Sequence, residues 1–164
     1  MTNYLIDHKV PMGQAIDDAD TILSASADFG ISWKWYGALL GRENLYKATG
    51  TDGRGSFGFS QMQVMTAKIV AKELGDDPEA ITPKWMEDHP LTMIRYGARH
   101  FHDLLREFNG PNQYYWATRA YNAGGTRIHL ARGGSKRWKA LSEKYYWDVD
   151  RRYTEILQYL EDVK

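Results

Sequence analysis

The sequence contains no cysteine, which excludes a disulfide framework and any metal site built from thiolates. It has no apolar run near the ~18 residues that a membrane-spanning helix needs, and no apolar stretch of secretory length at its N-terminus. The chain also has no net charge, since 21 Lys and Arg balance 21 Asp and Glu. A neutral chain has no global attraction to nucleic acid or anionic membrane, so we expect neither nucleic-acid binding nor membrane insertion.

The chain is of ordinary size and composition for a globular protein. Its 164 residues are 43% hydrophobic and 26% charged. We predict one domain over residues 1–164, in which residues 1–10 form an irregular lead-in. We further expect a monomer that requires no metal or organic cofactor.

Apolar residues recur at helical spacing through most of the chain, and no convincing strand is present, so the predicted fold class is mostly α. In the longest run, Ile94, Ala98, Phe101 and Leu105 share one stripe, which predicts a long, buried central helix. Residues 126–139 are basic and contain glycine, and they fall outside the predicted helices. The helices are predicted at residues 14–29, 32–43, 66–75, 90–109, 111–124 and from about 148 onward.

A glycine-rich stretch between the second and third predicted helices has the composition of a catalytic site. It begins at Glu43, which ends an apolar, aromatic segment, and it continues through a turn-rich run that contains Asp52. It closes on the polar side chains of Ser60, Gln61 and Gln63. A loop or short hairpin is expected here. An acid beside aromatic residues, facing a glycine-rich loop and amides, is typical of sites that cleave glycosidic bonds.

Glu43 is the candidate general acid of such a site. A carboxyl group that donates a proton near neutral pH needs a raised pKa, which apolar burial provides. The alternative is an ordinary surface ion pair, for example with the neighbouring Arg42. The apolar residues within three helical turns of the carboxyl group are Trp33, Trp35, Tyr36, Leu39 and Leu40.

Two other patterns have weak support. Gly53, Gly55 and Gly58 spell the dinucleotide motif G-x-G-x-x-G, but no buried strand precedes them and no βαβ unit follows. His100 and His102 are two residues apart, so on a helix they point to different faces and cannot chelate one ion. Neither pattern predicts a cofactor or metal site.

A run of cations follows the fifth predicted helix. Such a run could bind an anionic polymer, although more often it is a solvated face. We therefore favour the solvated face. Its members are Arg127, Arg132, Lys136, Arg137 and Lys139.

Three ordered motifs carry a resemblance to a known family: Glu43-Asn44, then G-S-F-G-F-S-Q-M-Q at 55–63, then A-Y-N-A-G at 120–124. They resemble the soluble lytic transglycosylase and goose-type lysozyme family, glycoside hydrolase family 23. Its pattern runs Glu-Ser, G-A-x-G-L-M-Q, A-Y-N-x-G and a late Tyr-Val. The resemblance covers roughly residues 25–160 and implies a lysozyme-like fold. Departures at Asn44, Phe59-Ser60 and Gln63 should alter groove contacts more than the reaction.

The resemblance implies roles for individual residues. Glu43 matches the catalytic acid, and Tyr121 matches a tyrosine that helps to orient it. Gly58 and Gln61 match the second motif, and Asn122 belongs to the third. Tyr153 matches the late Tyr-Val motif at its tyrosine only. The residues expected to contact sugar are Ser60, Gln61, Gln63, Asn122 and Tyr153.

Asp52 decides which reaction the sequence favours. It lies nine residues after Glu43, where many transglycosylases have serine, and this Glu–Asp separation is similar to that of phage-type lysozymes. We predict a muramidase that hydrolyses the β-1,4 bond between N-acetylmuramic acid and N-acetylglucosamine in peptidoglycan, with Asp52 activating water. In a lytic transglycosylase, Glu43 would act alone and give 1,6-anhydro products. A non-catalytic glycan-binding module is the other alternative, and Asp52 also suits a simple turn position.

Peptidoglycan strands are thus the expected partner. Because no secretory segment is found, the chain resembles a phage endolysin released through a partner pore, or a virion-associated lysin. It would be made in the host cytoplasm and would act on the cell wall.

Overall fold

The computed structural model describes residues 1–47, 50–51, 53 and 55–162. Within these ranges the architecture is mostly α, as predicted, with one short hairpin and a 3₁₀ turn at Pro78–Ala80. No helix in the described part of the chain combines the length and apolarity needed to span a bilayer. The elements are α1 Thr2–Asp7, α2 Met12–Asp28, α3 Trp33–Asn44, β1 Ser56–Phe57, β2 Met62–Gln63, α4 Val64–Leu74, α5 Pro83–Asp88, α6 Pro90–Glu107, α7 Gln113–Ala123, α8 Gly125–Arg132 and α9 Lys136–Asp162.

Local signals set several of the helix ends. Ser32 precedes α3, and its hydroxyl oxygen accepts a hydrogen bond from the Trp35 amide at 3.4 Å. Thr82 does the same for α5, whose first residue is a proline. Gly75 ends α4 in the left-handed conformation, with φ at 82°. The start of α3 and the end of α4 lie within two residues of their predicted positions, whereas α5 is absent from the predicted helices.

The predicted central helix is confirmed as α6, which is buried on two faces. Ile94, Ala98 and Phe101 belong to the larger hydrophobic cluster, which also draws on α1, α2, α3, α7 and α9. Met93 and Tyr96 belong to a smaller cluster that draws on β2, α4 and α5. A helix with apolar residues on both faces is expected to lie between packed layers, and α6 separates the two clusters.

The predicted glycine-rich segment forms a hairpin, in which β1 and β2 pair antiparallel. Phe59, at the turn, is fully buried in the larger cluster, while Met62 is buried in the smaller one. Gly58 has a φ of 70°, and a Cβ atom there would lie 3.3 Å from the Met86 carbonyl oxygen. The hairpin is therefore anchored on both sides of α6, and its turn requires glycine.

Three sequence predictions about secondary structure are wrong. The lead-in at 1–10 is not irregular throughout, because it contains α1, where Tyr4 and Leu5 are buried. Residues 126–139 are mainly helical, since they form most of α8 and the first residues of α9. The last helix begins at Lys136, well before the predicted 148. A six-residue helix is too short to show a period, and the first turns of α9 have a weakly apolar face.

Candidate active site

Glu43 lies in the last turn of α3 and is half-buried. The phenol of Tyr145 in α9 donates a short hydrogen bond to Glu43 Oε1. The neighbouring Arg42 pairs with Asp148 at 3.1 Å, and its guanidinium lies over the Tyr145 ring. The site is thus built where the C-terminal end of α3 meets the middle of α9. The negative end of a helix dipole is a place where an ionised carboxylate is disfavoured.

The chain reverses directly after Glu43 through a strained turn. Leu45 and Tyr46 both have left-handed backbone conformations, with φ at 49° and 60°, which non-glycine residues rarely adopt. The Tyr46 hydroxyl packs against Gly41, in space that any side chain there would occupy. The Tyr46 ring is buried edge-on against Tyr4 of α1 at 6.0 Å. Helix α1, which was not predicted from the sequence, therefore supports the turn after the candidate acid Glu43.

Tyr145 is built to act as a donor. Its side chain is buried, and burial together with the charge of Glu43 raises the pKa of its phenol well above the usual value. The phenol therefore stays protonated over any working pH. Its hydrogen bond fixes the orientation of one carboxyl oxygen of Glu43.

Tyr121 lies in the last turn of α7 and joins that helix to the hairpin. Its hydroxyl donates to the Ser60 carbonyl oxygen at 3.1 Å. Burial, and then the nearby charge of Glu43, raise the pKa of Tyr121 well above its ordinary value. His100 of α6 packs against the Tyr121 ring at 5.3 Å, and burial lowers the His100 pKa. The predicted neighbourhood of Tyr121 and Glu43 is therefore present, and Tyr121 also positions the hairpin.

Gly97 of α6 makes this meeting point possible. A Cβ atom at Gly97 would lie 2.5 Å from the Tyr36 hydroxyl, 2.8 Å from Ser60 Cβ and 3.0 Å from the Tyr121 hydroxyl. Real Cβ atoms do not approach other atoms so closely. The absence of a side chain at this one position allows α3, the hairpin and α7 to converge on α6.

The side chain of Ser60 is buried, whereas it was predicted from the sequence to be among the residues that contact sugar. Ser60 is 0% exposed, between Gly97 and the end of α7. Its contribution to the site is the carbonyl oxygen that accepts from Tyr121. The turn buries Ser60 because the adjacent Phe59 inserts into the core beside it.

Gln61 is used within the hairpin. Its Nε2 atom donates to the Gly58 carbonyl oxygen at 2.9 Å and to the Gly50 carbonyl oxygen at 3.2 Å. Its backbone is left-handed, with φ at 46°. The amide nitrogen that was expected to meet a sugar therefore cross-links the loop.

Two of the other predicted sugar ligands, Gln63 and Asn122, are exposed. Gln63 ends β2, and Asn122 follows Tyr121 near the end of α7. The predicted water activator, Asp52, lies outside the described residues.

Tyr153 does not join the site, and Tyr145 was missed. The ring of Tyr153 packs against Trp35 at 4.9 Å between their centroids. Along α9 it lies eight residues, or about 12 Å, from Tyr145. Tyr145, Val149 and Ile156 are the buried residues of one helical stripe. Extending this period upstream would have placed Tyr145 on the core face of α9.

A buried arginine holds α7 and α9 together next to the site. Arg119 is 0% exposed. It donates to the Ser142 hydroxyl at 2.9 Å, to the Lys139 carbonyl oxygen at 2.9 Å and to the Tyr115 hydroxyl at 2.6 Å. A buried guanidinium requires such partners. These contacts fix the relative position of the two helices that carry the site tyrosines.

Two surface depressions lie away from Glu43. One, of about 720 Å³, is lined by residues of α6, the start of α7 and the segment after α2, including Phe29 and Tyr114. The other, of about 510 Å³, lies beside Asp76, Trp85 and Tyr96. Neither is lined by a residue of the predicted site, so neither is part of the chemistry described above.

The fold and the site together define a lysozyme-like enzyme domain. The chain belongs to the transglycosylase SLT domain family, whose model matches residues 20–142. The resemblance inferred from the motifs and the predicted glycosidase-type class are therefore confirmed at the level of the family. Tyr145 lies just beyond the matched residues, so its place in the site comes from the structure.

Among solved structures, the chain is similar to an inactive mutant of the lytic transglycosylase Slt from Pseudomonas aeruginosa. The two share 20% sequence identity with a TM-score of 0.72, over 87% of this chain and 24% of that one. At this identity the likeness shows the fold, which confirms the predicted lysozyme-like class. The chain spans about a quarter of the length of that protein. No curated protein matches the chain.

Proposed function

We propose that this chain cleaves the β-1,4 bond between N-acetylmuramic acid and N-acetylglucosamine in peptidoglycan. The observation that supports this most is the Glu43 carboxyl group, held by the Tyr145 phenol at the end of α3. It occurs in a chain of the SLT transglycosylase family and at the first of the three family motifs. A glycan-binding module would have no need of a carboxyl group oriented in this way.

Glu43 is the general acid of the proposed reaction. It protonates the glycosidic oxygen as the bond from C1 of the muramic acid residue breaks. In the proposed step the Glu43 carboxyl group carries this proton, while the hydrogen bond from Tyr145 fixes the orientation of Oε1. Tyr121 holds the hairpin against the same region through the Ser60 carbonyl oxygen.

We further propose that the product is a 1,6-anhydro sugar. After the first proton transfer, the Glu43 carboxylate takes the proton of the 6-hydroxyl of the same muramic acid residue. The 6-oxygen then bonds to C1 and closes the ring, so that no water is consumed. This route needs one carboxyl group, which changes from acid to base. Membership of a transglycosylase family favours it.

Hydrolysis is the second candidate, and the position of Asp52 nine residues after Glu43 is what favours it. An inverting hydrolase needs a second carboxylate about 6.5–9.5 Å from the first, to activate water. Asp52 is the carboxylate of this loop in the sequence.

The exposed side chains of Gln63 and Asn122 are the proposed sugar ligands. Their amides would bind the N-acetyl groups. We also propose that the chain works as a monomer on the cell wall, reaching it as an endolysin or a virion-associated lysin would.

Mass spectrometry of the products released from purified sacculi tests the function and the route together. Anhydro ends are one water lighter than reducing ends. We expect anhydro ends from the wild type and none of either kind from Glu43→Gln. Exclusively reducing ends that disappear in Asp52→Asn would establish hydrolysis. Sacculi that are bound but release nothing would establish a binding module and overturn the proposal.

A further inference from the structure

The neutral overall charge conceals a strongly segregated distribution. Residues 108–142 contain six of the 21 Lys and Arg and none of the 21 Asp and Glu. One of the six, Arg119, is the buried clamp between α7 and α9. The other five are all exposed, on α8 and the first turns of α9. We name these five the basic surface: Arg127, Arg132, Lys136, Arg137 and Lys139.

The basic surface lacks the acidic partners that normally balance the positive charge of a solvated helix face. In the described part of the chain, no ion pair includes one of the five cations, and the acid that pairs with α8, Glu107, contacts His129. Alternating charges would neutralise an ordinary helix face. Here the five cations instead accumulate without an acidic partner, which makes an anionic ligand the physical complement of this surface.

Tryptophan side chains hold the guanidinium groups in place. Arg127 and Arg137 both stack on the ring of Trp138, at 4.9 Å and 5.2 Å from its centroid. Arg132 lies 5.6 Å from the ring centroid of Trp116. Stacking on a ring orders a guanidinium but leaves its charge available, so less side-chain entropy is lost on binding. The guanidinium groups of Arg127 and Arg137 are therefore both held next to one indole ring.

The basic surface lies beside the proposed active site. Arg127 donates to the carbonyl oxygen of Ala123, which directly follows Tyr121 and Asn122. At the other end, Lys139 precedes Tyr145 by six residues, or about 9 Å along α9. A glycan strand bound at Glu43 would therefore have this surface next to it.

We propose that the basic surface binds the carboxylate groups of the peptides that a peptidoglycan strand carries. This inference rests on the proposed function, because it takes the bound strand to be peptidoglycan. In an intact strand the lactyl carboxyl group of each muramic acid residue is bound in the amide that links the peptide, so the sugar backbone is uncharged there and the attached peptides end in carboxylates. Guanidinium groups bind carboxylates in a bidentate geometry. The surface would thus make the chain select strands with peptides over bare glycan.

The test compares Arg127→Gln/Arg137→Gln with a matched control, Lys72→Gln/Lys84→Gln. The control removes two exposed cations from α4 and α5, so both variants change the net charge equally. Each protein is sedimented, at low and high salt, with intact sacculi and with stripped sacculi. The stripped sacculi have lost their peptides to an amidase, and the lactyl carboxyl groups exposed in this way have been converted to neutral amides with carbodiimide and ammonia. Thermal unfolding verifies that each variant is folded.

We expect the arginine variant to bind intact sacculi about five- to tenfold more weakly than wild type at low salt. The difference should disappear at high salt and on stripped sacculi, and the control should bind like wild type. Equal binding of the arginine variant and wild type to intact sacculi would overturn the proposal. So would an equal loss on stripped sacculi, or a loss found only on anionic phospholipid vesicles or duplex DNA.

Cleavage measurements separate this proposal from the proposed function. If wild type cleaves no strand but the peptide-dependent difference in binding remains, the function is wrong and the surface stands. Suppose instead that the arginine variant cleaves both intact and stripped sacculi at the wild-type rate and binds each of them as tightly as wild type does. The proposed function then stands, and the proposal for the basic surface is wrong.

Discussion

The two sides of the active site are built differently. On one side, Glu43, Tyr121 and Tyr145 project from three helices that pack into the larger hydrophobic cluster. On the other, the hairpin contributes a carbonyl oxygen at Ser60 and a turn cross-linked by Gln61. The helical side therefore provides the ionisable side chains. The hairpin side provides backbone atoms and a turn of fixed shape.

This difference indicates that the helical side and the hairpin contribute to different properties of the protein. Burial raises the pKa of both tyrosines on the helical side, so they remain neutral donors around the acid. The hairpin has few hydrophobic anchors, and its shape depends on Gly58 and on the hydrogen bonds of Gln61. Substitutions on the helical side should therefore affect the rate of the reaction. Substitutions in the hairpin should affect stability and substrate binding.

The largest effect is expected from Glu43→Gln. Glutamine keeps the shape and can still accept the Tyr145 hydrogen bond, but it cannot donate a proton to the leaving oxygen. We expect at least a ~1,000-fold loss of lytic activity on permeabilised cells, with a thermal midpoint within a few degrees of wild type. Lysis at the wild-type rate would exclude Glu43 as the acid.

Tyr145→Phe should have the next largest effect, because it removes the described donor to Glu43 and leaves the ring in place. A hydrogen bond to a charged group contributes about 1.5–3 kcal/mol, which corresponds to a roughly 10–150-fold lower turnover rate. Tyr153→Phe is the matched control on the same helix, and its activity should equal that of wild type. A larger loss in Tyr153→Phe than in Tyr145→Phe would return the role to the tyrosine chosen from the sequence.

The hairpin is tested by Gln61→Ala beside Gln63→Ala. Gln61→Ala removes two hydrogen bonds inside the loop and should lower the free energy of unfolding by about 1–2 kcal/mol. Gln63 is exposed, so Gln63→Ala should leave stability unchanged and raise KM a few-fold as a proposed sugar ligand is lost. Chemical denaturation and steady-state kinetics measure the two effects. The reverse assignment, with Gln61→Ala fully stable, would show that the cross-link does not hold the hairpin.

The smallest effect on activity is expected at Asp18, on the helical side but remote from the reaction. Asp18 is 1% exposed and accepts one hydrogen bond from Gln14, and burial raises its pKa to about 6. The folded state thus holds the Asp18 proton more tightly than the unfolded state, whose pKa is near the ordinary 3.8. Wild type should therefore lose stability as pH rises from about 4 to about 6.

Asp18→Asn should remove that loss without changing activity. Its stability should equal that of wild type near pH 4 and exceed it by about 1–3 kcal/mol above pH 6. Thermal unfolding as a function of pH measures the difference. Asp17→Asn changes the adjacent exposed residue but keeps Asp18, so it should lose stability with rising pH much as wild type does. The loss should be somewhat smaller, because the charge of Asp17 also contributes to the raised pKa of Asp18. If Asp18→Asn is destabilised at pH 7, the buried carboxylate has a partner that stabilises its charged form.

Much of the fold could be predicted from local patterns. The stripe of Ile94, Ala98 and Phe101 predicted the central helix, and Ser32 predicted the start of α3. The prediction failed where the pattern was short or weakly apolar, as in α1 and the first turns of α9. Their residues are buried because of partners elsewhere in the chain, and a period over a few residues does not report such partners.

The candidate site was predictable only in part. The order of the motifs predicted a site at Glu43, Tyr121 and the hairpin, all of which lie within the residues that the family model matches. Tyr145 was not found from the sequence, because the last helix was predicted to begin near residue 148, which included Tyr153 but left Tyr145 outside it. The motifs also placed Ser60 and Gln61 toward the sugar, although the turn buries one and uses the amide of the other to close the loop.

The amino-acid order alone therefore specified the helical class, the acid and the glycine-rich turn, because caps, periods and turn residues act over about four positions. The tertiary structure chose the tyrosine that holds the acid, 102 residues away along the chain, and the buried arginine that clamps its helix. It also brought Arg127 and Arg137 onto one tryptophan. Such contacts depend on how the helices cross and which small residues let them approach, and that geometry exists only when the whole core is assembled.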